Sequence, residues 1–71
     1  MRQKIRLDTI TDIHKFVDKM STINDRVVLK DDAGHCVNAK SLLGSLYAME
    51  WHDIYCYCDT DITASIFPWI I

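Results

Sequence analysis

The segment 37–50, "VNAKSLLGSLYAME", passes from the end of an apolar strand into a short helix. Lys40 and Ser41 stand at this junction, where a helix start leaves backbone N–H groups unpaired and carries the positive end of the helix dipole. A serine at that position either caps the helix or holds an anion, and capping is the commoner role. The helix itself carries an apolar stripe of Leu42, Leu43, Leu46 and Tyr47.

Upstream of this segment, two short runs predict a β-hairpin. The runs "RVVLK" (26–30) and "HCVNA" (35–39) are rich in strand-forming residues and flank the connection Asp31-Asp32-Ala33-Gly34. Acidic residues and a glycine suit a tight turn in which one residue adopts a positive φ angle. The second run leads directly into the strand-to-helix junction at residue 37.

Downstream, "HDIYCYCD" (52–59) alternates between apolar and polar or aromatic residues and predicts a fourth strand. Ile54, Cys56 and Cys58 share one face of this strand. The opposite face carries Asp53, Tyr55, Tyr57 and Asp59.

The N-terminal third of the chain predicts one strand and one helix. "KIRLD" (4–8) alternates so that Ile5 and Leu7 share a face. Residues 9–23 then place apolar residues at helical spacing, with Thr9 as the N-cap and Asp12 as a capping-box partner. The expected apolar stripe of this helix consists of Ile10, Ile13, Phe16, Val17, Met20 and Ile23.

The C-terminal segment 60–71, "TDITASIFPWII", predicts a short last helix. Thr60 is the expected cap, Ile62, Ile66 and Phe67 share one side, and Pro68 ends the helix. The element order is then β-α-β-β-α-β-α, which is typical of an α+β open-faced sandwich with the helices on one face of the sheet. The expected core joins Ile5, Leu7, Val27, Leu29, Val37, Ile54 and Cys56 of the sheet to Ile13, Phe16, Val17, Leu43 and Leu46 of the helices.

The composition indicates a folded domain and argues against nucleic acid and membranes as its partners. The 71 residues are 49% hydrophobic and 25% charged, which fits one domain spanning 1–71. Eight basic residues lie scattered among ten acidic ones, giving a net charge of −2, so we expect no nucleic-acid partner. No apolar run approaches the ~20 residues of a membrane span, and the first residues lack a signal-peptide core. We therefore expect no membrane insertion and a cytoplasmic location.

The three cysteines, Cys36, Cys56 and Cys58, lie in apolar strand segments, which favours reduced, buried thiols over disulfides. A metal site built on Cys56 and Cys58 would need two more ligands from elsewhere. The sequence has no glycine-rich phosphate loop, no nucleophile with a spaced base and no paired carboxylates, so we expect neither enzyme activity nor a cofactor. A small cysteine-based metal module or enzyme subunit remains as an alternative.

The pattern of a strand followed by Asn-x-Lys-Ser, two aliphatic residues and Gly, at 37–44, resembles the second-helix signature of the HPr family. HPr is the histidine-containing phosphocarrier of the bacterial sugar phosphotransferase system, and the resemblance covers residues 4 to about 58. It implies a four-stranded antiparallel sheet in the order 1-4-2-3 and a regulatory serine at Ser41. It also implies that proteins of the phosphotransferase system, or its regulators, bind at Lys40, Ser41, Leu42, Leu43, Leu46 and Tyr47.

The phosphorylated histidine of that family lies at the entrance to helix one and is followed by arginine and proline. "DIHKFV" (12–17) offers His14 and Lys15 but neither of those two residues. The segment between the first two strands is shorter than the family pattern, and a deletion in the preceding loop puts Thr9 at the histidine's place. The resemblance then implies a regulatory or adaptor member without the carrier histidine; the alternative is an active phosphocarrier that uses His14. We expect His35 and His52 to be ordinary residues at strand ends.

Overall fold

A computed structural model describes all residues 1–71 and contains four strands and three α-helices. The element order β-α-β-β-α-β-α agrees with the order predicted from the sequence. A single 3₁₀ turn, Phe67–Trp69, follows the last helix. The elements are β1 (Arg2–Ile5), α1 (Ile10–Met20), β2 (Val27–Lys30), β3 (Cys36–Asn38), α2 (Leu42–Ala48), β4 (Ile54–Cys58) and α3 (Thr63–Ile66).

The strands form one antiparallel sheet in the order β1-β4-β2-β3, which confirms the predicted α+β class and strand order. Strand β4 lies between β1 and β2, so that Tyr55 is opposite Lys4 on one side and Lys30 on the other. Strand β3 pairs with β2 through the predicted hairpin. Gly34 in its turn has a φ angle of 97°, as the turn prediction requires.

One hydrophobic core lies between the sheet and the helices. The sheet contributes the residues expected there, except that Val37 is only half-buried. Val17 of α1 is also half-buried. The fully packed cluster consists of Ile5, Leu7, Ile13, Phe16, Met20, Val27, Leu29, Ala39, Ala48, Ile54, Cys56, Cys58, Ile62 and Ile66.

Helix α1 begins where the sequence predicts, because the Thr9 hydroxyl accepts the backbone N–H of Asp12 at 3.0 Å. It ends at Met20 and not at residue 23. The hydroxyls of Ser21 and Thr22 donate to carbonyls of the last helical turn, which is how such side chains end a helix. Ile10, expected in the buried stripe, is 60% exposed because it is the first helical residue, one turn before the first buried residue.

Helix α2 presents a different face to the core from the one predicted. Leu43 was expected to be buried and is 80% exposed, whereas Ser45 and Ala48 are completely buried. The Ser45 hydroxyl donates to the carbonyl of Ala39 at 3.4 Å, so the buried polar group is paired. Leu46, the other leucine expected in the core, packs against it while remaining half-buried.

Small residues set the distance between α2 and strand β3. A Cβ atom at Gly44 would lie 3.2 Å from the Cβ of Val37 and 3.3 Å from the carbonyl oxygen of Asn38. Both distances are shorter than ordinary van der Waals contact, so the glycine permits the close approach. The helix therefore packs mainly through its small residues, and its bulky residues Leu42, Leu43 and Tyr47 are exposed.

The C-terminal segment differs from the prediction at both ends of its helix. The residue preceding α3 is Ile62, and the Thr60 hydroxyl donates to Asp25 instead of capping the helix. Phe67, expected on the buried side, is 72% exposed. Trp69 takes the inward position and packs edge-on against Phe16, with ring centroids 5.2 Å apart.

The last residues of the chain pair with the outer edge of β1. The Arg6 N–H donates to the Trp69 carbonyl at 2.8 Å, and the Ile71 N–H donates to the Lys4 carbonyl at 3.4 Å. Strand β1 spans residues 2–5 and not the predicted 4–8. Leu7 nevertheless stays buried. No helix of the structure is long and apolar enough to cross a membrane.

Two substitutions in α2 test which face of the helix is packed. Ala48→Leu adds bulk at a fully buried position and should lower the free energy of unfolding by about 1–3 kcal/mol. Leu43→Ala removes a side chain that is 80% exposed and should change it by less than about 0.5 kcal/mol. Urea denaturation of both variants measures the difference. The reverse order, with Leu43→Ala the more damaging, would show that Leu43 is buried and that the packed face of α2 is a different one.

Candidate functional site

Ser41 is the N-cap of α2, as the sequence predicts. Its backbone is extended, with φ −94° and ψ 123°, and its hydroxyl accepts the Gly44 N–H at 3.1 Å. The turn before it is shaped by Asn38, whose side-chain oxygen accepts the Lys40 N–H at 2.9 Å and whose carbonyl accepts the Ser41 N–H at 3.0 Å. The serine hydroxyl thus supplies one of the acceptors that a helix start requires.

Lys40, expected beside Ser41 as an anion-binding cation, is engaged elsewhere. Its side chain is half-buried, and its Nζ donates to the backbone carbonyl of Ile23 in the loop after α1. The hydrogen bond ties the entrance of α2 to the end of the α1 segment. Of the two polar residues at this junction, Ser41 is therefore the one whose side chain lies at the helix entrance.

The exposed apolar residues of α2 form a surface next to Ser41. Leu42 is 38% exposed, Leu43 is 80% exposed and Tyr47 is 54% exposed; we call these three residues the α2 surface. Leu43 and Tyr47 are four residues apart and so lie on the same side of the helix. Of the apolar residues predicted to bind a partner, these three are therefore exposed, whereas Leu46 packs against the core.

An aromatic cluster beyond the α2 surface was not predicted. The His35 ring stacks on Trp51 with centroids 5.6 Å apart, and Tyr47 contacts Trp51 edge-on at 5.8 Å. His35 Nδ1 also lies 2.7 Å from the Asp31 carboxylate. The cluster fixes the β2–β3 turn against the end of α2. The sequence could have indicated the contact of Asp31 with His35, because the two residues flank a short turn. It gave no indication of the contact with Trp51.

The Asp31 carboxylate is the acceptor that organises this turn. Burial acts to raise its pKa, but hydrogen bonds from the His35 ring and from the backbone N–H groups of His35 and Ala33 outweigh burial. The pKa of Asp31 therefore lies below its ordinary value. An ionised carboxylate offers enough acceptor sites for all three donors.

His14 lies more than one turn inside α1. It is the fifth residue of the helix and is exposed, while Thr9 occupies the helix entrance. The backbone N–H of a fifth helical residue is paired within the helix, so the free N–H groups of the first turn are not at His14. His52 is exposed beside β4, as expected of a strand-end residue.

The cysteines occupy both faces of the sheet. Cys56 and Cys58 are buried on the core side of β4, whereas Cys36 of β3 is exposed, contrary to the expectation of burial. Burial, with a smaller effect of the neighbouring Cys58, raises the pKa of Cys56 to about 12. All three thiols are free, and no group of three His, Cys, Asp or Glu side chains is placed to hold a metal ion.

Thiol titration tests this distribution. In the folded protein Cys36 should react rapidly with a disulfide reagent, because the thiolate is the reactive form and Cys36 is exposed. Cys56 and Cys58 should react only when the protein unfolds, so that denaturant raises the count from one thiol to three. A Cys36→Ser variant is the control and should leave no rapid phase. Three rapid thiols in the folded protein would contradict the burial of β4.

No known protein family, curated protein or solved structure matches the chain.

Proposed function

We propose that this chain is an HPr-like regulatory or adaptor protein that acts by binding a partner protein and does not carry phosphoryl groups. The proposed partners are proteins of the phosphotransferase system or its regulators, which places the chain in the cytoplasm. In this role the chain needs neither a cofactor nor catalysis of its own. The binding site is the α2 surface, with Ser41 at its edge as the regulatory residue.

The exposure of the α2 surface is the observation that carries the proposal. Leu43 is 80% exposed and Tyr47, one turn further, is 54% exposed. These side chains contribute little to the core, since α2 packs through Gly44, Ser45 and Ala48. Aromatic and aliphatic side chains grouped on one exposed helix face are typical of protein docking sites.

Two further features support the proposal that the chain is HPr-like. The strand order β1-β4-β2-β3 is the order that the resemblance implies. Ser41 caps α2 at the position to which the resemblance assigns a regulatory serine. A phosphate on this hydroxyl would add about two negative charges at the border of the α2 surface. Its oxygens would take the place of the hydroxyl that now caps the helix. That change could switch partner binding while the core stays intact.

The position of His14 favours an adaptor over a phosphocarrier. A phosphorylated imidazole is stabilised by free N–H donors such as those of a first helical turn. Here Thr9 lies at that entrance and already accepts the Asp12 N–H, while His14 is the fifth helical residue. The alternative of a metal module on Cys56 and Cys58 has less support, because both thiols lie in the core without further ligands beside them.

Phosphorylation in vitro tests the carrier alternative. Incubation with the general phosphotransferase enzyme and phosphoenolpyruvate should leave the chain without acid-labile phosphate, because His14 lacks the donors that would hold it. An authentic HPr in the same mixture is the positive control. Acid-labile phosphate that disappears in a His14→Ala variant would restore the phosphocarrier reading.

Affinity capture from the cells that make the protein tests the docking site. Wild type should retain a phosphotransferase-system component or regulator, identified by mass spectrometry, and Leu43→Ser should lose it. Phe67→Ser is the matched control, because Phe67 is a similarly exposed apolar residue (72%) away from α2 and its loss should not affect capture. Equal capture by all three proteins would contradict the proposed site.

The same capture separates a switch from a simple cap at Ser41. Ser41→Ala should lower the free energy of unfolding by ~1 kcal/mol through the lost cap and still bind the partner. Ser41→Asp should keep the cap and the stability but reduce capture, because it places a charge beside the apolar surface. Undiminished capture by a folded Ser41→Asp variant would leave capping as the whole role of the serine.

A further inference from the structure

The face of the sheet that points away from the helices carries basic and aromatic side chains. Strand β4 places Tyr55 and Tyr57 at the centre of this open face, between β1 and β2. Arg2 of β1 is opposite Tyr57, and Lys30 of β2 is opposite Tyr55. Both tyrosines are half-buried, so part of each remains accessible.

The cations of this face lie against the tyrosine rings. The Arg2 guanidinium lies 3.9 Å from the ring centroid of Tyr55, and its Nε donates to the Tyr57 hydroxyl at 2.9 Å. The Lys30 ammonium lies 4.8 Å from the ring centroid of Tyr57. In these contacts a cation lies over the face of each tyrosine ring.

Most of the positive charge of this face is not neutralised by carboxylates. Lys4 pairs with Asp53 at 3.3 Å, but Arg2, Arg26 and Lys30 make no ion pair. These four residues are half of the eight basic residues in a chain of net charge −2. The scattered distribution of basic residues along the sequence predicted no nucleic-acid partner, but strand pairing gathers residues that are distant in sequence onto one face.

A shallow depression lies on the same face, with a volume of about 330 Å³. Arg26, Lys30 and Tyr57 line it, together with Val28 from the middle of β2. Asp59 is the one acidic residue of the lining. Its volume lies in the range of small-molecule binding sites, and its lining combines cations with an aromatic ring.

We infer that the open face binds single-stranded nucleic acid, through the cluster of Arg2, Arg26, Lys30, Tyr55 and Tyr57. Four-stranded sheets bind single strands by stacking bases on aromatic side chains and arginine planes of the central strands, while nearby cations contact the phosphates. The positive charge of the open face would by itself attract an acidic protein as well as a nucleic acid. The planar Arg2 guanidinium and the tyrosine rings can stack on a planar base, and this feature favours a base over a carboxylate.

Binding of a fluorescein-labelled oligouridylate, followed by anisotropy over a range of salt concentrations, tests this inference. With three unpaired cations, the logarithm of the association constant should fall against the logarithm of salt concentration with a slope of about −2. A duplex of the same length should bind more weakly, because its bases are not free to stack. The DNA counterpart of the oligonucleotide shows whether the 2′-hydroxyl contributes.

Variants on the two sides of the molecule separate the open face from general charge. The double variant Arg26→Ala, Lys30→Ala should weaken binding about tenfold and bring the slope to about −1. Tyr57→Leu should weaken binding several-fold without changing the slope, because it removes stacking and not charge. The matched control is Lys15→Ala, Lys19→Ala on the exposed side of α1, which should bind as wild type does. Circular dichroism verifies that each variant is folded.

Three results would overturn the inference. The first is no anisotropy change with either oligonucleotide at low salt. The second is an equal loss in the α1 control, which would assign binding to total charge. The third is stronger binding of labelled polyglutamate combined with no effect of Tyr57→Leu, which would assign the face to an acidic protein. Leu43→Ser should leave oligonucleotide binding unchanged. The proposal for the α2 surface and the inference for the open face can therefore be tested independently.

Discussion

Strand β4 is the element on which the rest of the structure depends, because it pairs with both β1 and β2. Its alternation sends Ile54, Cys56 and Cys58 into the core and turns Tyr55 and Tyr57 to the open face. A shift of one residue in its register would exchange the two sets, burying tyrosines under the helices and exposing the thiols. The pairing of β4 on both sides fixes that register, and with it the chemistry of each face.

The second constraint is the close contact of α2 with the end of β3. Gly44 leaves no room for a Cβ without displacing Val37 or the Asn38 carbonyl, so this side of the helix must stay small. Burying small residues costs hydrophobic stabilisation, since each methylene removed from water contributes about 0.8 kcal/mol. Leu43 is nevertheless 80% exposed, and Tyr47 is 54% exposed although its ring also contacts Trp51. The close approach of α2 to β3 thus determines which side chains of this helix are buried and which are exposed.

Sequence patterns predicted the elements well where apolar residues and caps agree, as for α1 with Thr9 and α2 with Ser41. They failed where burial depends on distances between elements. Hydrophobicity alone ranks Leu43 above Ala48 as a core residue, and only the close approach of α2 to β3 reverses that order. The open-face cluster escaped prediction for a related reason, because its members come from three strands. The contacts of His35 with Tyr47 and Trp51 were not predicted for the same reason, because these residues lie far from His35 in the sequence.

The central claim is that α2 packs against the core through Ser45 and Ala48 and leaves Leu43 exposed. Solvent paramagnetic relaxation of the leucine methyl groups, measured by NMR with a soluble gadolinium chelate, tests it with five leucines in one sample. The account predicts the strongest broadening at Leu43, less at Leu42 and at the half-buried Leu46, and least at Leu7 and Leu29, whose side chains are buried. Protection of Leu43 to the level of Leu29 would contradict it, because Leu43 would then be in the core.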